Sequence, residues 1–182
     1  YKFLLGDKPS IADFALLGPM YGHLNRDPAP KRDLLDVRPN LQNWVERCHA
    51  GEGKDGSYLP NDEIPETLNA IFEAIFTEFY PMLDSIADNL TAYIEKKGKK
   101  SGDKLARSVG DATTTMDGQP FSRGALPYTL WMMQRLQNRY AKLGDLEKST
   151  VNDWTATFNQ ANIMEKDLGP KLKRSNVATR LA

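Results

Sequence analysis

The chain has 182 residues, 40% of them hydrophobic and 26% charged, and its 24 Lys and Arg balance 24 Asp and Glu to a formal net charge of zero. A balanced surface makes no long-range field toward DNA, RNA or an anionic membrane. No apolar run of about 18 residues is present to span a bilayer, and one cysteine with two histidines supports neither an internal disulfide nor a cysteine-rich zinc site. The expectation is a soluble, reduced, intracellular chain with no nucleic-acid partner and no membrane insertion, sized for one domain or one domain with a long extension.

The opening Tyr1-Lys2-Phe3-Leu4-Leu5-Gly6 has no basic-then-apolar leader and reads as a chain already in mid-structure. The first helix starts in Gly6-Asp7-Lys8-Pro9-Ser10-Ile11-Ala12-Asp13-Phe14. Ser10 is the expected N-cap, its hydroxyl accepting from the Asp13 N–H while the Asp13 carboxylate accepts from the Ser10 N–H; Pro9 and Phe14 hold the staple positions. Phe14, Leu17, Tyr21 and Leu24 continue one face, with Leu16 and Met20 widening it. Gly18-Pro19 predicts a kink and not a stop, because the apolar phase survives it.

After the loop from Arg26 to Arg38, Pro39 opens a second helix, with Leu41, Trp44, Val45 and Cys48 on a single face. Gly51 to Ser57 reads as a flexible loop. The longest apolar pattern runs from Pro65 to about Lys97: Leu68, Ile71, Phe72, Ile75, Phe76 and Phe79, then Met82, Leu83, Ile86, Leu90, Tyr93 and Ile94. Pro81 makes this one kinked helix or two nearly coaxial ones. Ala112 to Met116 and Gln119 to Phe121 flank Asp117-Gly118, a hairpin signal weakened by Pro120. A further helix follows from Leu126 to Lys142, with Leu130, Met133, Leu136 and Tyr140 on one face and Tyr128, Trp131, Met132 and Arg135 on a flank. Ser149 is the expected cap of a last helix carrying Val151, Trp154, Thr155 and Phe158. From Ile163 onward no period is visible. The reading is mostly α, with at most one small hairpin.

The first fifty residues resemble the C-terminal helical domain of the glutathione S-transferase superfamily. The residues that carry the resemblance are Leu4-Leu5-Gly6-Asp7-Lys8-Pro9-Ser10-Ile11-Ala12-Asp13-Phe14 followed by Trp44-Val45-Glu46-Arg47. Phe121-Ser122-Arg123-Gly124-Ala125-Leu126-Pro127-Tyr128 running into Leu130-Trp131-Met132-Met133-Gln134-Arg135 is similar to the extended C-terminus of larger bacterial-type members. The resemblance implies transferase C-terminal-like helices over residues 1–50 and a helical extension over 51–182 packed on them. It also implies a thioredoxin-like N-terminal domain that binds glutathione as cosubstrate and supplies the thiol-activating residue, and a habit of homodimerisation. No residue of this chain matches that catalytic position, so no catalytic or metal-binding residue is assigned; Ser10 and Asp13 carry over as a structural cap.

Other chemistry-bearing residues have plainer readings. Ser10 and Asp13 with His23 suit a helix cap better than a catalytic set. Cys48 and His49 are adjacent on a helix and do not face each other, which makes a poor nucleophile–base pair. Gly51 to Ser57 lacks the Gly-Lys-Ser/Thr order of a phosphate loop and follows a helix where a strand is required. Lys96, Lys97, Lys99 and Lys100, and the basic tail with Lys171, Lys173, Arg174 and Arg180, could hold an anion or a phospholipid surface but read better as a solvated face. Tyr128, Trp131 and Arg135, at i, i+3 and i+7, are the candidate substrate-binding residues, able to stack on and hydrogen-bond an organic anion or aromatic electrophile.

Two functions follow as expectations. In the first, the parent protein is a glutathione transferase and this chain forms one wall of its apolar electrophile site. In the second, it is a non-catalytic assembly module whose stripe from Leu68 to Ile94 faces partner subunits. The expected compartment is the cytoplasm, or an organelle matrix if a targeting segment has been removed.

Overall fold

The computed structural model describes residues 1–182, which divide into two compact units, Tyr1–Asn69 and Ala70–Ala182.

In the first unit α1 (Ile11–Pro19) begins at the Ser10 cap and passes through Pro19 into a wide, π-helical turn, Met20–Leu24. Pro19 keeps helical dihedrals, so the chain continues past it, and the Asn25 N–H reaches the Met20 carbonyl. A one-turn α2 (Pro28–Pro30) and a second π-helical turn (Lys31–Leu35) lead to α3 (Pro39–Ala50). Pro39 occupies the first turn, where its missing N–H costs nothing. Gly51, at φ 69°, ends α3: its N–H donates to the Cys48 carbonyl and that of Glu52 to the Arg47 carbonyl, a Schellman closure. The core here is small, consisting of Phe3, Trp44, Val45 and Cys48 with Leu17, Met20, Tyr21 and Leu41 packed against it.

The expected flexible loop after α3 is instead a return segment laddered onto the start of the chain. Asp7 N–H donates to the Ser57 carbonyl and Leu59 N–H to the Leu5 carbonyl, and Gly6 bridges Tyr58. A side chain at Gly56 would meet the Asp7 backbone, so glycine is what permits this approach.

The second unit begins with α4 (Asn69–Ala74), a π-helical turn (Ile75–Phe79) and α5 (Tyr80–Lys97). Pro81 lies in the first turn of α5, and the Tyr80 N–H donates to the Ile75 carbonyl across the wide turn. The long stripe turns into this unit's own core: Phe76, Tyr80, Met82, Leu83, Ile86 and Leu90 are buried. The start of the stripe stays at the surface, where Ile71 is exposed and lines an open groove with Ile75 and Phe79.

Strands β1 (Asp111–Met116) and β2 (Gln119–Gly124) pair antiparallel around Asp117-Gly118. Both turn residues have positive φ, the type I′ geometry that suits the strand twist. The hairpin docks on α5: Ser85 Oγ accepts from Thr113 N–H at 3.0 Å and Asn89 Nδ2 donates to the Asp111 carbonyl at 3.1 Å.

Helix α6 (Pro127–Tyr140) follows, then α7 (Asp145–Ala156). Ser149 is not the cap of α7. The helix starts one turn earlier at Gly144, whose N–H donates to Glu147 Oε2 at 2.8 Å, half of a capping box that needs no side chain at the cap itself. A second hairpin, β3 (Leu172–Ser175) and β4 (Ala178–Leu181), corrects the expectation of at most one. Its turn residues, Asn176 and Val177, lie at φ 47° and 58°. A β-branched residue is seldom found in that region, which is why the segment gave no hairpin signal.

Candidate functional site

Ser10 and Asp13 form the expected reciprocal cap, but Asp13 does more than cap. It is fully buried, and each oxygen accepts twice: Oδ1 from Leu4 N–H at 3.0 Å and the Trp44 indole N–H at 2.9 Å, Oδ2 from Ser10 N–H at 2.8 Å and Ser10 Oγ at 2.6 Å. Burial pushes the carboxyl up, but the hydrogen bonds from Ser10, Leu4 and Trp44 outweigh it and hold Asp13 below its ordinary value of 3.8. All four donors are spent on the fold, so this carboxylate is a structural hub with no capacity left for a substrate. His23 has no part in it.

Cys48 is buried behind the same helix, and its thiol is pushed up to about 11 by burial and by the Asp13 carboxylate, against a smaller opposing effect of Arg47. Such a thiol stays protonated near neutral pH and is not a nucleophile. The neighbouring His49 ring instead stacks on Tyr21, centroids 3.8 Å apart and planes 18° from parallel. No group of three or more His, Cys, Asp or Glu side chains is placed to hold a metal ion, and no helix is long and apolar enough to cross a membrane.

The candidate residues on α6 lie together as neighbours. The Tyr128 and Trp131 rings are 5.5 Å apart, and the Arg135 guanidinium sits 5.1 Å from the Trp131 ring. Arg174, from β3, adds a second guanidinium 4.8 Å from Tyr128 and 5.6 Å from Trp131. Cations over aromatic faces are attracted by the ring quadrupole, so the four side chains form an alternating cationic and aromatic ladder. Beside it opens a groove of about 480 Å³, lined by Tyr128 and Arg174 but not by Trp131 or Arg135. Lys104, Arg107, Leu126 and the β3–β4 turn make its other walls.

Sequence reasoning placed Arg174 on a solvated basic tail and did not single out Lys104 or Arg107; all three reach the groove from other elements. Of the expected face of α6, Leu130 and Tyr140 are buried and Met133 packs on the core, but Leu136 is half exposed and Gln134 is buried as well: its amide donates to the Pro170 carbonyl at 3.0 Å and accepts from Leu172 N–H at 2.9 Å. A buried amide is tolerated when both its ends are satisfied. This one fixes the start of β3, and hence the strand that carries Arg174.

Residues 1–52 match the family model described as glutathione S-transferase, C-terminal domain. That stretch is a helical domain of the glutathione S-transferase superfamily, and it contains the whole Ser10–Asp13–Trp44 network. No curated protein and no solved structure matches the chain. The groove lies outside the matched residues.

Proposed function

We propose that this chain is the C-terminal part of a glutathione transferase-like protein. In this reading a thioredoxin-like N-terminal domain binds glutathione and activates its thiol, and the present chain supplies one wall of an apolar electrophile site through Tyr128, Trp131 and Arg135. The observation that carries it is the family match over residues 1–52. The apolar face of α1 supports it: Ile11 is 89% and Phe14 50% exposed, surface that suits coverage by a further domain or subunit. The reaction is attack of the glutathione thiolate on an electrophilic carbon, forming a C–S bond as the leaving group departs with the bonding pair; the thiol proton goes to solvent. No residue of this chain is given the thiol-activating role, and homodimerisation and a cytoplasmic location belong to the same proposal.

The test is intact mass and conjugation activity of the native protein, with chlorodinitrobenzene as electrophile. A mass well above 20.5 kDa with glutathione-dependent turnover is the expected result. A mass of 20.5 kDa with no turnover overturns the enzyme reading and leaves a partner-dependent helical module.

A further inference from the structure

We infer that the second hairpin, the segment 102–105 laddered onto it and the basic end of α5 form a docking surface for an anionic lipid membrane. Its cations meet the lipid phosphates, and the Val177 side chain seats among the headgroups. The inference stands apart from the transferase reading, since neither glutathione nor an electrophile takes part.

The first observation is where the charge lies. Of the chain's 24 Lys and Arg, ten stand in residues 96–107 and 171–180, and of its 24 Asp and Glu only Asp103 does. The rest of the chain carries 14 Lys and Arg against 23 Asp and Glu, so the balance of the whole does not hold for this part. The two segments are far apart in sequence, but the fold joins them. Gly102 N–H donates to the Leu181 carbonyl at 3.1 Å, Leu181 N–H to the Asp103 carbonyl at 3.2 Å and Leu105 N–H to the Thr179 carbonyl at 3.0 Å. None of the ten cations is in an ion pair; the chain's ion pairs involve Lys31, Arg32 and Lys166. Asp103 is already engaged, accepting from Lys100 N–H at 2.9 Å. Cations gathered in this way are attracted to an anionic leaflet over about a Debye length.

The second is register. Lys173 and Arg180 are direct cross-strand partners, and Arg180 bridges Lys104 on its other side, so three cations stand abreast. Strand alternation puts them on the face opposite Leu105, Leu172 and Leu181, which are buried. Like charges directly opposite each other destabilise a sheet. The helix dipole accounts for Lys96 and Lys97 in the last turn of α5. No acidic side chain pairs with the row on the hairpin, and a layer of lipid phosphates would offset its repulsion.

The third is Val177. In the turn of the same hairpin it is 90% exposed and sits at φ 58°, where a glycine or asparagine is relaxed. An exposed apolar tip flanked by Arg174 and Arg180 matches the two-part attachment of interfacial segments, charge with shallow apolar burial. A nucleic acid would call instead for open aromatic faces on which bases stack. The rings beside the hairpin, Tyr128 and Trp131, carry the Arg174 guanidinium over them.

The test is sedimentation of the protein with vesicles of phosphatidylcholine, with and without phosphatidylserine, at low and high salt. Binding to the serine-lipid vesicles alone, lost at high salt, is expected. Lys104→Gln with Lys173→Gln should weaken it about 30-fold, at about fivefold per charge removed. Because that pair of changes relieves repulsion, it should not lower the melting temperature. Lys2→Gln with Lys54→Gln makes the same change of net charge in the first unit and should leave binding within about twofold. Val177→Asn relaxes the turn, yet should weaken binding about threefold. Equal binding to both kinds of vesicle, none included, overturns the proposal, as does equal loss in the two double variants or undiminished binding by Val177→Asn. Tighter binding to a short DNA duplex than to the serine-lipid vesicles also overturns it, and would make the surface a nucleic-acid site.

Discussion

The two units solve the same problem with different materials. The second encloses a core of fifteen buried hydrophobic residues, ten of them on α5, α6 and the two hairpins and the rest on the adjoining segments. The first has four in its cluster, and its organising element is a buried carboxylate that ties the segment before α1, the N-terminus of α1 and the middle of α3 into one knot. A small core contributes little transfer free energy, so a satisfied polar hub carries a larger share of the specificity. The price is vulnerability, because a hub that loses its acceptor strands every donor at once.

That contrast can be broken most forcefully at Asp13. Asp13→Ala leaves the Leu4 amide and the Trp44 indole without acceptors, at about 1–3 kcal/mol each, and removes the cap as well. A loss of at least about 3 kcal/mol in urea unfolding is expected, with Trp44 indole exchange accelerated in step. Gln134→Leu is the matching change in the second unit. It orphans the Pro170 carbonyl and the Leu172 N–H inside a large core, and should cost about 2 kcal/mol while loosening β3 as seen by amide exchange at Leu172.

A smaller effect sharpens the comparison. Trp44→Phe removes one of the four hydrogen bonds to Asp13, for about 1 kcal/mol. It also has a pH signature. Because Asp13 titrates below 3.8 in the folded chain, its contribution is present above that value and is lost as pH falls through the depressed one. Trp44→Phe should move the acid loss of first-unit stability to higher pH, toward the ordinary value, in a pH series of unfolding curves. The smallest effect belongs to Ser149→Ala. As a cap Ser149 would be worth about 1 kcal/mol; inside α7 the change should stay under about 0.5 kcal/mol by thermal melt.

The features legible in the sequence were those whose partners are close along the chain. Ser10 and Asp13 stand three residues apart, and Asp117-Gly118 is a turn written in two letters, so both could be read directly. The Trp44–Asp13 bond joins residues 31 apart, and nothing local marks a tryptophan as the donor. The second hairpin was hidden because Val177 occupies a backbone position that its chemistry disfavours, and the start of α7 because a glycine with Glu147 replaced the expected serine. At the groove, Tyr128, Trp131 and Arg135 could be grouped by helical spacing. Arg174 could not, since it reaches Tyr128 only after the chain has passed through α7 and returned along β3.

The wide turn at Ile75–Phe79 sets a rule about chain length. It holds one residue more than an α-helical turn requires, so a one-residue deletion there would leave helix on both sides without a break. The flanking stretches would also stay nearly in phase, because the wide turn uses its extra residue to complete the same rotation as an α turn, and Phe72 would keep its edge-on contact with Trp154, centroids 4.7 Å apart. The same deletion within regular α-helix at the start of α5 would swing everything before it by about 100° and carry Phe72 away. In this segment, alignment between related chains would be expected to tolerate a deletion inside the wide turn far more readily than one beside it.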